Sequence, residues 1–522
     1  MILALSESDE LARNENTVGL RCGHKKCAVS PLFWQVRDSM RRKYTVSQTV
    51  SRPDYRIPNE LLQLLNRDSY SLLIKGSPGS GKTTLALTIL RTLNDRQNFL
   101  YVSTRTSQTQ LFRNHTWLAE FLHARKDGKV SAGSRLVPDR SVFVDARLDE
   151  QSTLFETITN ELMDINRPLI IIDSWEAIAN SMDTEAITNM KVLQTWRERA
   201  GAKLIFISEG PEQKTSDFLV DGIAILRQNY IDGRRVREIL LSKLDGMAAT
   251  KSSYFFTLSN GIFRSFDPYR GADFAISMDS NFSHQPLEST PISDTFCIPT
   301  HHPELDKILR GGFPIRSVVK IKMDPIVNVK VALVFLMRML TDFFRNGNPV
   351  VFQPFEEIEA EQVTRLFDSF SADSKEKRLS ILWPPDAIGT PNDSARREMQ
   401  TAKGWLESLK EAVFRMRREF PDRKLLALLE LKDITEYRGP EEGGTLKALM
   451  DFTKRNVDLC VIVTRQPETV LEQTHVIAET HLEIVDLEGT LFLRAHVPYS
   501  QFFAIIPERQ SGILTVRLEP MV

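Results

Sequence analysis

The 522-residue chain has only four cysteines, Cys22, Cys27, Cys297 and Cys460, too few and too scattered for a disulfide framework, which fits a reducing compartment. Charge of one sign is also missing. The 67 Lys and Arg stand against 68 Asp and Glu, a formal charge of -1, which excludes both a broadly basic nucleic-acid surface and an acid-rich halophile composition. There is no long hydrophobic run: the longest, Val331 to Met337, stops at Arg338, far short of the roughly 20 residues that span a bilayer. The opening MILALSESDE lacks the basic region and the apolar length of a signal peptide, so a cytoplasmic location without membrane association is expected. Glycine (24) and proline (25) are too sparse for a fibrous or disordered chain. What is present is 42% hydrophobic and 26% charged residues over a length that one core rarely organises, hence a soluble globular chain of two or more domains.

Residues 1–50 show no sustained period and read as a tail or extension. Within them Cys22, His24 and Cys27 supply three zinc-type ligands where a closed structural site takes four, so a basic tail running into Arg41, Arg42 and Lys43 is the preferred reading. From residue 51 to 266 short apolar runs alternate with helical patterns, the signature of a mostly parallel sheet flanked by helices. Strands are expected at Tyr70–Lys75, Phe99–Ser103, Val142–Asp145, Leu169–Asp173 and Lys203–Ser208, each nearly all apolar as strands covered on both faces must be. The turn Tyr230-Ile-Asp-Gly233 predicts an antiparallel hairpin at the sheet edge, followed by short strands at Tyr254–Thr257 and Gly261–Ser265. Residues 267–294, rich in Asp, Ser and Pro, read as a linker. The same plan restarts over 295–522, with strands expected at Val318–Met323, Val350–Gln353, Leu425–Leu429 and Leu459–Val463 and a helix at Arg396–Arg418. The fold class expected is therefore α/β, two tandem units of one design.

The sharpest motif is Gly76-Ser77-Pro78-Gly79-Ser80-Gly81-Lys82-Thr83, which fits G-x-x-x-x-G-K-[ST] between an expected strand and a helix. Glycines at these spacings let backbone amides turn toward a β-phosphate, and the helix N-terminus that includes Thr84 adds positive potential. Lys82 is expected to neutralise the terminal phosphates of ATP and Thr83 to ligate Mg²⁺. A second magnesium-orienting group is needed at the end of a neighbouring strand, and Asp173, closing Leu169-Ile-Ile-Ile-Asp173, supplies it. Glu176 either reaches a water near the γ-phosphate or faces solvent on a first helical turn; Glu209 is either a γ-phosphate sensor or a solvated loop residue.

The P-loop, the Leu100-Tyr-Val-Ser-Thr104 strand, the Ile172-Asp173-Ser174 ending, Phe218–Leu226 and Leu241-Ser-Lys243-Leu-Asp-Gly246 resemble, in order, the RecA-like ATPases of the KaiC type over about residues 57 to 266. Tyr70–Gly76, Tyr101–Thr106 and Asp173–Ala177 are more narrowly similar to the archaeal gas-vesicle regulator family GvpD. That resemblance implies a P-loop regulator that restrains a protein partner such as a transcription activator, with an Arg-rich motif as the contact. Here the motif is Arg234, Arg235 and Arg237. It also implies a KaiC-type homo-oligomer and, at Lys243, a lysine reaching a neighbouring subunit's nucleotide, although Asp245 replaces the Arg usual beside it. Where KaiC-type domains carry a water-polarising Glu pair, this chain has Arg105 and Thr106, so slow hydrolysis is expected. In the second half Glu304–Pro314 resembles a domain entry, yet the loop has become Met323-Asp-Pro-Ile-Val-Asn-Val-Lys330 without a glycine, and Phe355-Glu356-Glu357 stands where the Glu pair would. A degenerate second domain, scaffolding the first or receiving a partner, follows. The expected function is an ATP-binding, slowly hydrolysing regulator. The alternatives are a RecA-type ATPase acting on DNA, disfavoured by the charge balance, and a nucleotide-binding scaffold that never hydrolyses.

Overall fold

The computed structural model describes residues 21–22, 25–26, 56–93, 98–119, 121, 142–147, 168–176, 183–210, 215–275, 296–355, 358, 360–370, 378–382, 402–430, 442–465, 478–510 and 513–522. Met1–Asp54 forms one unit and Tyr55–Val522 another. In the first, Arg21–Cys22 (β1) and Lys25–Lys26 (β2) pair antiparallel, with Cys22 opposite Lys25. His24 and Cys27 lie outside the described residues, and so do Glu356 and Glu357.

The apolar runs of the second unit become strands because both faces of each are buried. Tyr70–Gly76 (β3), Phe99–Ser103 (β4), Val142–Asp145 (β5), Leu169–Asp173 (β6) and Lys203–Glu209 (β7) run parallel. Gly222–Ile231 (β8), Arg234–Leu244 (β9), Ser253–Thr257 (β10) and Arg264–Ser265 (β11) extend the sheet on the far side of β3 in antiparallel steps after β8. Alternate residues of β3 divide between two cores. Leu72 and Ile74 pack with Leu85 and Ile89 of the helix Lys82–Thr92, while Leu73 packs with Met190 and Leu193 of the helix Asp183–Ala200. At about 1.5–3 kcal/mol for each fully buried aliphatic side chain, these layers fix the strand ends on which the site is built.

The second half repeats the plan. After a small pair, Cys297–Ile298 (β12) and Phe313–Pro314 (β13), come Ser317–Met323 (β14), Val350–Phe352 (β15), Leu379–Ile381 (β16), Leu426–Glu430 (β17) and Leu459–Thr464 (β18). Thr480–Leu487 (β19), Thr490–Val497 (β20), Phe503–Gln510 (β21) and Ile513–Pro520 (β22) complete it. The two nine-stranded sheets have orders β11-β10-β9-β8-β3-β7-β6-β4-β5 and β16-β15-β17-β18-β14-β19-β20-β21-β22, the same arrangement strand for strand. The chain is thus a tandem α/β repeat. The longest apolar run, Val331–Met337, lies in the helix Lys330–Arg345 and is buried throughout, a core helix of the second half. The helix expected from Arg396 is seen as Ala402–Glu419, with 396–401 outside the described residues. Among the described residues no helix is long and apolar enough to cross a membrane.

Two expectations are corrected. The hairpin β8–β9 is not at the sheet edge, because β10 and β11 lie beyond it. The front of the 267–294 segment is not loose chain: the Tyr269 amide donates to the Gly489 carbonyl at 2.9 Å and Phe274 is buried in the second core. The antiparallel wings of the two sheets meet face to face, where Val236, Phe255 and Phe266 pack against Phe492, Phe502 and Met521. The buried pair Arg264–Glu519, at 2.6 Å, sits in the same contact.

Candidate functional site

β3 delivers the chain into the loop at its C-terminal end, where Gly76 pairs in register with Glu209 at the end of β7. The loop conformation depends on its glycines. Gly79 and Gly81 have φ of +77° and +103°, in the left-handed region that side-chain-bearing residues avoid. A Cβ at Gly76 would sit 2.6 Å from the Leu226 carbonyl oxygen, and one at Gly81 would sit 2.7 Å from Leu258. Gly81 then starts the helix Lys82–Thr92 with no side-chain cap, leaving that terminus suited to an anion.

Lys82 is buried and folds back over the loop, its Nζ donating to the carbonyls of Gly76 at 2.7 Å and Ser77 at 3.0 Å. Burial lowers the affinity of its amine for a proton; Asp173 and Glu176 oppose that, and Arg105 adds repulsion. Thr83 Oγ1 donates to Asp173 Oδ2 at 2.7 Å, and Tyr101 donates to the same oxygen at 2.9 Å. Burial, then the Asp173 charge, holds the Tyr101 hydroxyl well above the usual phenol range, so it stays a donor. Behind Asp173 the Thr104 amide donates to its carbonyl at 2.7 Å, and the Ser174 amide donates to Thr104 Oγ1 at 2.9 Å.

These residues fit a nucleoside triphosphate with magnesium. Thr83 and Asp173 present hard oxygen donors side by side, as Mg²⁺ prefers. The Ser80 hydroxyl is 1% exposed and, among the described residues, has no hydrogen-bond partner, a buried polar group inside the cradle. Glu176 does not face open solvent: its Oε1 accepts from the Glu209 amide at 2.7 Å and from the Ser208 hydroxyl. Glu209 in turn is ion-paired to Arg105.

The corresponding place in the second half is built differently. The loop between β14 and the helix Lys330–Arg345 spends its amides on its own side chains, Ile326 N on Asp324 Oδ1 at 3.3 Å and Lys330 N on Asn328 Oδ1 at 2.8 Å. Glu430 closes β17 where Asp173 closes β6, and meets Arg465 at 3.4 Å. This loop has no cradle of inward amides, consistent with a degenerate repeat.

The Arg-rich motif is divided by the fold. Arg234 is buried, its Nε donating to the Ser500 carbonyl at 2.7 Å and its Nη2 to Ala495 at 3.0 Å. Arg237 is buried too, with Nη1 on Gly79 O at 3.1 Å and Ser80 O at 3.3 Å and Nε on Val522 O at 2.6 Å. Both serve contacts within the chain, against the expectation of an outward-facing patch; only Arg235 of the three is exposed. Lys243 likewise donates inside the chain, to Val220 O at 2.7 Å, and meets Asp245 at 3.2 Å. Tyr101 and Thr104 are site residues that motif spacing does not single out. Both lie in the Tyr101–Thr106 stretch that carries the family resemblance, which by itself assigns them no role.

Residues 63–242 match the family model described as "GvpD gas vesicle protein, P-loop domain". Two Halobacterium salinarum proteins are similar: Protein GvpD2, 26% identical over 311 residues covering 55% of this chain and 58% of that protein, and Protein GvpD1, 28% identical over 284 residues covering 51% and 50%. The chain thus spans about half the length of these relatives, 58% of one and 50% of the other. With the loop and the strand-end acid in place, the first of the two repeats carries a P-loop domain similar to that of GvpD, matched over residues 63–242.

Proposed function

We propose that this chain is a gas-vesicle-related regulator that binds ATP with magnesium at Gly76–Thr84 and shows the occupancy of that site to a protein partner in the cytoplasm. The observation that carries the reading is the Thr83–Asp173 contact at 2.7 Å beneath a glycine loop whose lysine is held on the Gly76 and Ser77 carbonyls. The printed name of the matching family supplies the gas-vesicle context.

Lys82 would leave those carbonyls for phosphate oxygens, and the amides of the loop would bind the β-phosphate. Thr83 and Asp173 would hold Mg²⁺, which when bound draws charge from the phosphate oxygens. Tyr101 keeps the Asp173 carboxylate oriented toward Thr83. Water attack would need a carboxylate to orient the water; Glu176 and Glu209 are the acids at hand. Each is already engaged, Glu176 by Ser208 and the Glu209 amide, Glu209 by Arg105. Glu176, held by Ser208 and the Glu209 backbone amide whether or not Arg105 stays on Glu209, is not free to orient a water, so slow hydrolysis is expected, as suits a switch. The outward contact to the partner falls to Arg235, since Arg234 and Arg237 are buried.

The second reading, binding without hydrolysis, draws on the same engaged acids. Single-turnover assays with labelled ATP separate the two: release of phosphate over minutes to hours supports the switch, and intact ATP supports the scaffold. Direct action on DNA is weakened by the charge balance of -1 and by the burial of two arginines of the basic motif.

A further inference from the structure

In the strand order β7-β6-β4, Asp173 ends the middle strand, Glu209 ends one neighbour and Arg105 follows the other. The ion pair between Arg105 and Glu209 therefore crosses the end of β6, over the acid proposed to hold magnesium. Both backbones are pinned: Thr104, just before Arg105, donates its amide to Asp173 O at 2.7 Å, and the Glu209 amide donates to Glu176 Oε1 at 2.7 Å. Only the two side chains need move to open the bridge. Arg105 is 54% exposed and Glu209 29%, so water reaches the pair and an incoming anion can compete for the guanidinium. The Arg105 charge also works against protonation of Lys82, beside burial and against the pull of Asp173 and Glu176.

We propose that Arg105 is the residue that recognises the terminal phosphate: on binding of ATP it exchanges Glu209 for the γ-phosphate oxygens, so the site selects triphosphate over diphosphate. Glu209 is the partner that holds Arg105 before nucleotide binds rather than the sensor itself. The chemistry favours the exchange, because a planar guanidinium meets phosphate oxygens through paired charge-assisted bonds, and the γ-phosphate carries more charge than a single carboxylate. This inference rests on the reading of the loop as a nucleotide site.

The test is calorimetric titration of the full chain with a non-hydrolysable ATP analogue and with ADP, each with Mg²⁺, for wild type, Arg105→Ala, Arg105→Lys and Glu209→Gln. Arg105→Ala is expected to weaken the ATP analogue about tenfold or more while leaving ADP within about twofold, with partial recovery in Arg105→Lys. Glu209→Gln is expected to tighten the analogue several-fold and to leave ADP unchanged. An unchanged analogue-to-ADP ratio in Arg105→Ala, or equal weakening of both nucleotides, overturns the inference while the nucleotide site stands. If wild type binds neither nucleotide, the reading of the loop fails first. Should Arg105→Ala not fold, Glu209→Gln decides alone, since no preference for the triphosphate over wild type contradicts the exchange.

Discussion

Arg237 and Gly79 lie in separate elements of the first repeat, yet Arg237 Nη1 donates to the Gly79 carbonyl at 3.1 Å while Nε of the same guanidinium donates to Val522 O at 2.6 Å. One planar, always-charged group thus ties the loop to the last strand region of the second repeat. Next to it the Thr257 hydroxyl donates to Pro520 O at 2.6 Å and Arg264 pairs with Glu519. A change in the loop has a direct route to the second sheet.

Replacing Arg237 with Met keeps much of the side-chain volume but strips the donors from the buried Ser80 carbonyl and from the part-buried contacts to Gly79 O and Val522 O. A loss of about 3 kcal/mol in unfolding free energy is expected, along with weaker nucleotide binding. Urea denaturation of the apo protein reads the first effect and titration with Mg·ATP the second. Arg235→Met, on the exposed position between them, should change neither.

The glycines of the loop predict a graded response. Ala at Gly76 drives a Cβ to 2.6 Å from a backbone oxygen that cannot step aside, whereas at Gly79 nothing lies within 4 Å and only the positive φ is penalised. Gly76→Ala should cost on the order of 3 kcal/mol or abolish folding, and Gly79→Ala about 1 kcal/mol. Equal midpoints in denaturant for the two variants would count against this geometry.

Much of this architecture was legible and some was not, for physical reasons that differ by element. Leu169–Asp173 reads as a strand from its composition because both faces are buried and no polar residue is tolerated before its end. The four strands from Thr480 to Pro520 do not announce themselves as apolar runs: His481, Glu483, Arg494 and His496 alternate with core residues such as Leu482, Ile484 and Leu493, so the signal in the first two is a period of two. The roles of Arg234 and Arg237 depend on a second sheet packed against the hairpin, which local pattern does not encode. The Arg105–Glu209 pair required the strand order, since only that order brings the ends of β4 and β7 to either side of β6.

The second repeat carries a pH dependence. His302 is 2% exposed, stacks on the Phe335 ring at 4.8 Å and places Nε2 2.9 Å from the Phe335 carbonyl oxygen. Burial first, with repulsion from Arg338 and His301, pushes its imidazolium from the ordinary 6.5 down to about 4. As pH falls the unfolded chain takes the proton before the folded one, so stability is fully present above 6.5 and is lost between 6.5 and about 4. The loss from this group is about 3 kcal/mol. His481, also pushed down to about 4 by burial, titrates in the same window. The comparison of wild type with His302→Gln isolates the one group: the variant should lose less stability between pH 7.5 and 4.5, in unfolding curves recorded at both, and equal losses would contradict the assignment.

The central claim is that the loop Gly76–Thr83 grips a nucleoside triphosphate with magnesium. Isothermal titration of Mg·ATP into the full chain, beside the Lys82→Ala and Asp173→Asn variants, tests it most directly. The account predicts saturable binding to wild type at one site, loss of most of that affinity in Lys82→Ala, and loss of the magnesium-dependent part alone in Asp173→Asn. A folded wild-type protein that takes up no Mg·ATP, or one that binds it as well without Lys82, would contradict it.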